Sequence, residues 1–512
     1  MQLTQFVHRS LRASPEAVMT ISDGRVRTSR ESVDRIKRLA GGLQTLGLRT
    51  GDRVAILASN SDYYHEALPA CWWFGAVASP VNSRWSTAEI TYALEDSGST
   101  VLLVDENFAS VGSTLREACP GLTTVVYCGN DRVPDGMLDY EQVIAEAIPV
   151  DDLRVGGDTL ALLLYTGGTT GVPKGVMISH QALMTSALGT LAAGGVAISN
   201  GTNLAVNPLF HIAGIVGWLA QSLMGGTQVF VPNFSPRTFL EAVDRYRPTT
   251  VGLVPTMLQM LVAHKNETGE DATTYDLSSV RILRYGASPI SPTLLGQVMQ
   301  MFPNSSFAQG YGMTETAHIS MLSPADHLEG GDLLRSAGRA LPHCELKIVD
   351  PAGSELPPGE VGEIVTFGSH VMLGYWNKPK ETAEVLRSGW MHTGDAGYLD
   401  ARGYLFIVDR IKDMIVTGGE NVYSTEVENA LEQHESVAAC SVIGLPDAQW
   451  GERVHAVVVL RHGFDADADE LRAHVKTLIA GYKSPRTFQF VDALPLSAAG
   501  KVLKRDLRCN AT

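Results

Sequence analysis

Long apolar runs are missing from this 512-residue chain. Nothing in it approaches the roughly 18 consecutive apolar residues that a membrane-spanning helix needs, and the opening residues have no signal-like apolar core. A cytoplasmic protein without integral membrane association is therefore expected. Cysteine is scarce and scattered. Cys71, Cys119, Cys128, Cys344, Cys440 and Cys509 include no C-x-x-C pair, so reduced thiols are expected rather than a disulfide framework. Positive charge is in deficit, with 40 Lys and Arg against 55 Asp and Glu and a net charge of −15. That balance argues against a nucleic-acid partner but leaves room for a local basic pocket that holds a phosphate. No repeat recurs at a fixed period, and the 50 glycines and 24 prolines show no collagen-like spacing. What remains is 45% apolar and 19% charged, an ordinary globular composition long enough for about three domains.

The first 160 residues alternate short apolar runs with helical patterns. Arg53–Leu57, Ala76–Val81, Val101–Val104 and Thr123–Tyr127 read as strands, and Tyr63–Phe74 reads as a helix. Ser86–Leu94 reads as a second helix, opened by the capping box Ser86 to Glu89. The pattern resumes at Asn203–Val206, Gln228–Val231, Val251–Val254 and Arg281–Leu283. Strands separated by helix-length segments argue for βαβ units around parallel sheets. From about Arg335 shorter β-rich runs, Glu345–Val349 and Glu363–Phe367, suggest a small antiparallel or barrel-like unit. Beyond Arg410 a capping box at Thr425 to Glu428, strands at Ala439–Gly444 and Val454–Leu460, and a helix at Glu470–Ile479 indicate an α+β domain. The expected division is residues 1–410 and 411–512.

Leu160–Tyr165 reads as a buried strand, and it runs straight into Thr166-Gly-Gly-Thr-Thr-Gly-Val-Pro-Lys-Gly175. Glycines let backbone N–H groups close on a phosphate, hydroxyls donate to it, and Lys174 adds a mobile positive charge. A Walker A loop is excluded, because proline precedes the lysine. By composition alone a plain surface turn remains open.

The whole string resembles the phosphate loop of the adenylate-forming superfamily, the acyl- and aryl-CoA synthetases and their relatives. Gly167 stands where many members have serine. Further motifs follow in that family's order. Gln309-Gly-Tyr-Gly-Met-Thr-Glu-Thr316 resembles its second signature, and Tyr285-Gly-Ala-Ser-Pro289 its adenine-pocket stretch. His392-Thr-Gly-Asp395, Asp409-Arg-Ile-Lys-Asp413, Gly418-Gly-Glu-Asn421 and Ser497-Ala-Ala-Gly-Lys501 complete the series. The resemblance spans about Arg53 to Leu507. It implies a large N-terminal domain of two doubly wound βαβ subdomains plus a small β-barrel-like subdomain, followed by a smaller mobile α+β domain.

The resemblance also implies roles. Thr166, Gly167, Gly168, Thr169, Thr170, Gly171 and Lys174 would hold the ATP phosphates. Gly286, Ala287, Ser288, Gly310, Tyr311 and Gly312 would line the adenine site, with Thr314 on phosphate and Glu315 on Mg²⁺. Asp395 and Arg410 would bind the ribose, and Lys412 would be the hinge. Gly418 and Gly419 would floor the pantetheine tunnel of coenzyme A, with Trp450 either stacking on CoA or packing in the core. Lys501 would be the catalytic lysine. Ser424 replaces a proline common in relatives, for no evident reason. His211 resembles a gate at the carboxylate end, and Ile212, Gly214, Ile215, Trp218, Val254, Met257, Gly286 and His318 are candidate walls of the acid pocket. These walls are mostly apolar and offer no obvious fixed cation.

The activity implied is an ATP-dependent acid–CoA ligase that passes through an acyl-AMP, acting on a medium-chain fatty or an aryl or phenylpropanoid acid, as a monomer or homodimer. A luciferase-like oxygenase shares the motifs. An adenylation enzyme loading a carrier protein does too, although no carrier domain follows Lys501.

Overall fold

The computed structural model describes residues 1–166, 173–271, 274–461, 463–496 and 502–510. The chain forms two compact units, one of Met1–Glu345 with Thr366–Met391 and the other of Leu346–Val365 with His392–Thr512. The expected boundary near Arg410 falls inside the second of these.

Two sheets build the first unit. One runs in the order Gly374–Tyr375, Lys174–Ser179, Leu160–Thr166, Val77–Pro80, Arg53–Leu57, Val101–Asp105, Thr124–Cys128, Leu138–Asp139. Its pairs are parallel from Leu160–Thr166 onward and antiparallel on the other side of that strand. The other sheet runs Arg339–Ala340, Ala317–Leu322, Ser306–Met313, Ile282–Gly286, Thr250–Leu253, Thr202–Ala205, Thr227–Phe230, Val18–Ser22, Arg25–Thr28. It is parallel from Ser306–Met313 to Val18–Ser22. Helices between the strands cover both faces. Val54 to Leu57 and Val101 to Val104 are accordingly buried throughout, as a strand covered on two sides requires.

The expected βαβ alternation is present, with strand ends within a few residues of those read from the sequence. At Ser86 the capping box forms: its hydroxyl accepts from the Glu89 N–H, and the Glu89 carboxylate accepts from the Ser86 N–H at 2.9 Å. Two features escaped the sequence reading. Val18–Ser22 joins the second sheet alongside Thr227–Phe230, a pairing set by contacts some two hundred residues apart. The second signature closes an antiparallel hairpin, Ser306–Met313 with Ala317–Leu322.

In the second unit, Trp390–Leu399 pairs antiparallel with Leu405–Arg410 in an open sheet rather than a closed barrel. The long hairpin Val437–Asp447 with Gly451–Leu460 carries Thr487–Phe490 in parallel. Helices Ser424–Leu431 and Ala468–Leu478 pack Val427, Leu431, Leu471 and Val475 against that sheet. The α+β expectation holds there, but the capping box at Thr425 does not form. The helix starts two residues early, with Tyr423 at its N-cap and no side-chain cap. Glu428 instead accepts from the Val442 N–H at 2.8 Å and pairs with Lys504 at 2.9 Å. Asp467 caps Ala468–Leu478 by accepting from the Asp469 and Glu470 N–H groups.

Burial in the first unit includes histidines. Trp218 Nε1–H donates to His65 Nδ1 at 2.9 Å, and the Leu3 N–H donates to His180 Nδ1 at 3.4 Å. Both rings are thereby held neutral, and desolvation lowers the pKa of His65, His180 and His318 to about 4 each. The unfolded chain binds protons at these sites near pH 6.5 and the folded one does not, so their stabilisation is complete above about 6.5 and is lost as pH falls toward 4. Each histidine contributes a slope of up to about 1.4 kcal/mol per pH unit in that window. Thermal unfolding followed from pH 7 to 4.5 should show a falling midpoint, and His65→Gln should flatten the fall; a midpoint independent of pH would contradict the neutral assignment.

Candidate active site

The site lies at the carboxyl ends of the central strands in the first unit, the usual crevice for ligands in open α/β sheets. Leu160–Thr166 and Lys174–Ser179 form a hairpin in which Thr166 pairs with Lys174. Gly167, Gly168, Thr169, Thr170 and Gly171 at its tip lie outside the described residues. Lys174 Nζ lies 5.0 Å from the centroid of the Tyr375 ring, a cation–π distance. The Tyr375 hydroxyl donates to Glu315 Oε1 at 2.8 Å, and the Met372 N–H donates to the Glu315 carbonyl at 2.8 Å. Desolvation, followed by the Glu315 charge, raises the Tyr375 pKa. Glu315 is only 7% exposed and sits on the hairpin turn. It is not a solvated acid at a helix start.

The adenine-site candidates meet on adjacent strands. Gly286 pairs in register with Gly310, and Tyr285 with Gln309. A Cβ on Gly286, whose φ is +156°, would lie 2.2 Å from the Gly310 carbonyl oxygen. Gly312 is as tightly placed against the Ala317 backbone. Ala287 and Ser288 follow the strand end, with Ala287 at φ +70°, and Tyr311 is half-buried. Thr314 occupies the same turn as Glu315, which the Thr316 hydroxyl braces by accepting from the Met313 N–H at 3.3 Å.

A cavity continues from these strand ends along the sheet face. Gly286, Ala287, Gly310, Gly214, Trp218, Val254 and His318 line it, so the structure joins most of the acid-pocket candidates to the adenine-site strands. Ile215 and Met257 are corrections: each is buried in a hydrophobic core instead. On helix Ile212–Leu223 the residues Gly214, Gly217 and Trp218 share one face through i, i+3, i+4 spacing, and Ile215 lies about 100° away from Gly214. Ile212 also packs on the core. His211 is the N-cap of that helix, its ring 4.4 Å from Phe210, and it is not among the described residues lining the cavity. The sequence reading missed Arg284, which lines the cavity half-buried, with its Nε enclosed. The strand read from the sequence ended at Leu283, one residue short of Arg284, whereas the structure runs it over Ile282–Gly286.

In the second unit Asp395 and Arg410 pair in register, with Arg410 Nε 3.5 Å from Asp395 Oδ1. The Thr393 hydroxyl donates to the Ile364 carbonyl and accepts from the Asp395 N–H, and Glu363 accepts from His392 Nδ1 and the Gly394 N–H, which fixes the turn. Lys412 lies in the single turn Ile411–Asp413. Local desolvation and the Arg410 charge hold its pKa below the usual lysine range. Ser424 gains a reason: its N–H and hydroxyl both donate to the buried Asp409 carboxylate, at 2.5 and 2.6 Å, and proline could supply neither bond. Gly418 and Gly419, at φ +63° and +85°, form a two-residue hairpin turn between Ile415–Thr417 and Glu420–Val422. Trp450 packs its edge on Gly418, and Arg486 lies over its ring at 4.5 Å. Lys501 lies outside the described residues.

A Mg²⁺ ion bound with a nucleotide takes one or two carboxylates plus phosphate oxygens and waters, not a protein cage. Glu315, oriented by Tyr375, fits that donor set, and among the described residues no group of three or more His, Cys, Asp or Glu is gathered for a metal. No helix among the described residues is long and apolar enough to cross a membrane.

Residues 7–376 match the AMP-binding enzyme family, and residues 426–501 match the AMP-binding enzyme C-terminal domain. A feruloyl-CoA synthase from Amycolatopsis sp is 41% identical over 501 residues, covering 98% of this chain and 97% of that one. A fatty acid–[acyl-carrier-protein] ligase from Streptomyces coeruleorubidus is 37% identical, covering 96% and 93%. Among solved structures, the o-succinylbenzoate CoA synthetase of Bacillus subtilis in complex with its acyl-adenylate superposes with a TM-score of 0.84 at 32% identity, covering 98% and 97%.

Two glycines test the local geometry. Gly286→Ala drives a methyl into the Gly310 carbonyl and should destabilise by about 3 kcal/mol, the upper range for overpacking. Gly419→Ala meets nothing within 4 Å and should cost only the left-handed penalty of about 1–2 kcal/mol. Denaturant unfolding of each variant against the parent measures both; a Gly286→Ala variant as stable as the parent would contradict the close strand approach.

Proposed function

The chain belongs to the AMP-binding enzyme family, and on that premise we propose that it is an ATP-dependent carboxylic acid–CoA ligase working through an acyl-AMP. The observation that carries the reading is the contact of Glu315, Tyr375 and Lys174, with Glu315 in the turn that ends the strand Ser306–Met313, while Gly310 of that same strand lines a cavity of largely apolar side chains. One end suits polyphosphate, and the other suits the body of an organic acid. The acid's carboxylate attacks the α-phosphorus of ATP, and pyrophosphate leaves. Two anions must meet, so the residues position and neutralise more than they transfer protons. Thr166, Lys174 and the loop Gly167, Gly168, Thr169, Thr170 and Gly171 hold the phosphates. Gly286, Ala287, Ser288, Gly310, Tyr311 and Gly312 accept the adenine, and Thr314 bonds phosphate. Glu315 would help hold a Mg²⁺ bound with the nucleotide, which would supply charge neutralisation for the departing pyrophosphate. Asp395 accepts from the ribose hydroxyls beside Arg410. His211 gates the carboxylate end. Lys501 bridges carboxylate and α-phosphate as charge develops.

The thiol of CoA then displaces AMP from the acyl group. Lys501 and the thiol need the same approach to the acyl carbon, so residues 411–512 act as a mobile domain that turns at Lys412. Lys501 withdraws, and Gly418 and Gly419 present the pantetheine path, with Trp450 as the platform for the adenine of CoA. A second reading has its own support: the relative that ligates fatty acid to acyl-carrier protein points to a carrier thiol as acceptor in place of CoA.

With a suitable acid, AMP and pyrophosphate should accumulate stoichiometrically, and CoA should raise turnover; ADP and phosphate as products would overturn the mechanism. Replacing CoA with a phosphopantetheinyl carrier protein separates the two acceptors. Lys501→Ala should slow adenylation by about 10²–10³, the effect of losing one preorganised charge, and should spare thiol attack on preformed acyl-AMP. Equal slowing of both steps would rule out the alternation.

A further inference from the structure

Arg284 is out of place in a buried parallel strand. It sits in the middle of Ile282–Gly286, in register with Gly252 on one neighbour and Ala308 on the other. Both neighbours are small, and both line the cavity with it. A Cβ on Gly217 would come within 3.0 Å of the guanidinium, and one on Gly252 within 3.5 Å, so these glycines leave the space it occupies. Nη2 donates to Asn203 Oδ1 at 2.8 Å, Nη1 reaches the Gly217 carbonyl at 3.4 Å, and Nε has no partner. No carboxylate among the described residues compensates the charge; burial alone acts on it, lowering its pKa to about 10. Even at that value the group is cationic at neutral pH. A half-buried cation with an enclosed, unpartnered Nε and no carboxylate is costly to keep, and a methionine would fill the same volume.

Two more polar atoms on the same cavity lack partners, Asn207 Oδ1 and His318 Nδ1. The His318 ring is held neutral by burial first and then by the Arg284 charge. Arg284 and Gly286 are two residues apart, so their side-chain directions share one sheet face, and Arg284 lies roughly 7 Å deeper than the strand end. A carboxylate reacting at the strand ends would send the rest of its molecule down this face toward Arg284.

We infer that Arg284, with Asn207 and His318, is the far-end recognition subsite of the acid pocket, and that the acid accepted carries an oxygen acceptor there, a phenolic oxygen or a second carboxylate, rather than a bare alkyl or aryl end. The inference rests on the ligase reading. A phenolic hydroxyl would accept from Arg284 and donate to Asn207, whereas a second carboxylate would accept alone. Either supplies what the guanidinium lacks. A site with a buried donor rejects the isostere that leaves the donor unpaired.

The test uses the full chain in ATP–pyrophosphate exchange with isosteric pairs of acids: 4-hydroxycinnamate against 4-methylcinnamate, and hexanedioate against 6-methylheptanoate. In the parent protein the oxygenated member of at least one pair should be preferred by about 10–10² in kcat/KM, carried mainly by KM, and the preferred pair identifies which oxygen is read. Arg284→Met should bring that ratio close to one, and Asn207→Leu should reduce it for the phenolic pair only. A parent protein that favours the apolar member of both pairs, or shows no preference, overturns the inference without any variant, so a misfolded Arg284→Met does not protect it. An Arg284→Met protein that is folded and keeps the parent ratio overturns it as well. Failure of every acid to drive exchange would instead sink the ligase reading, and this inference with it.

Discussion

The hydrogen bond from Tyr375 to Glu315 ties the site together. Tyr375 belongs to the short edge strand beside Lys174–Ser179, and Glu315 to the turn after Ser306–Met313. One bond of 2.8 Å therefore links the two sheets of the first unit, and Lys174 rests on the same ring. A buried carboxylate that accepts from a buried hydroxyl, with a cation over the same ring, is a high-stakes arrangement, because a buried donor that loses its acceptor is costly. The bond joins the edge of the hairpin Leu160–Thr166 with Lys174–Ser179 to the turn of the hairpin Ser306–Met313 with Ala317–Leu322.

Close backbone approach is the second constraint, and it explains residue types that look functional for another reason. Gly286 and Gly312 are required because neighbouring backbone occupies the space of a Cβ. Gly217 and Gly252 leave room for a guanidinium. Gly286, Gly217 and Gly252 line the same cavity, together with Trp218, Val254 and Leu253. Trp218 is held in turn by its bond to His65, so the apolar wall rests on a neutral buried histidine.

The element pattern was readable because it depends on local chemistry. Strand runs such as Val101–Asp105 are apolar on both faces, and the Ser86–Glu89 box closes within one helical turn. The Thr425 box looked the same, yet Glu428 is held by Val442 and Lys504, partners far along the chain. Ser424 carried no local signal at all, because its partner Asp409 lies fifteen residues upstream across a turn.

Sequence alone determined the family resemblance, the βαβ organisation of the first unit, the order of the motifs and the chemistry available to Thr166, Lys174, Glu315, Asp395 and Arg410, since these rest on residue types at short spacings. Which side chains share a cavity was decided only in three dimensions. Ile215 and Gly214 are adjacent in the chain, yet one enters the core and the other the cavity, because a helix turns about 100° per residue. Arg284 lies one residue beyond the strand read from the sequence, and its surroundings, Asn203, Gly217 and Gly252, are brought to it by three separate segments. Burial and the absence of a counter-charge are properties of packing, and no stretch of sequence contains them.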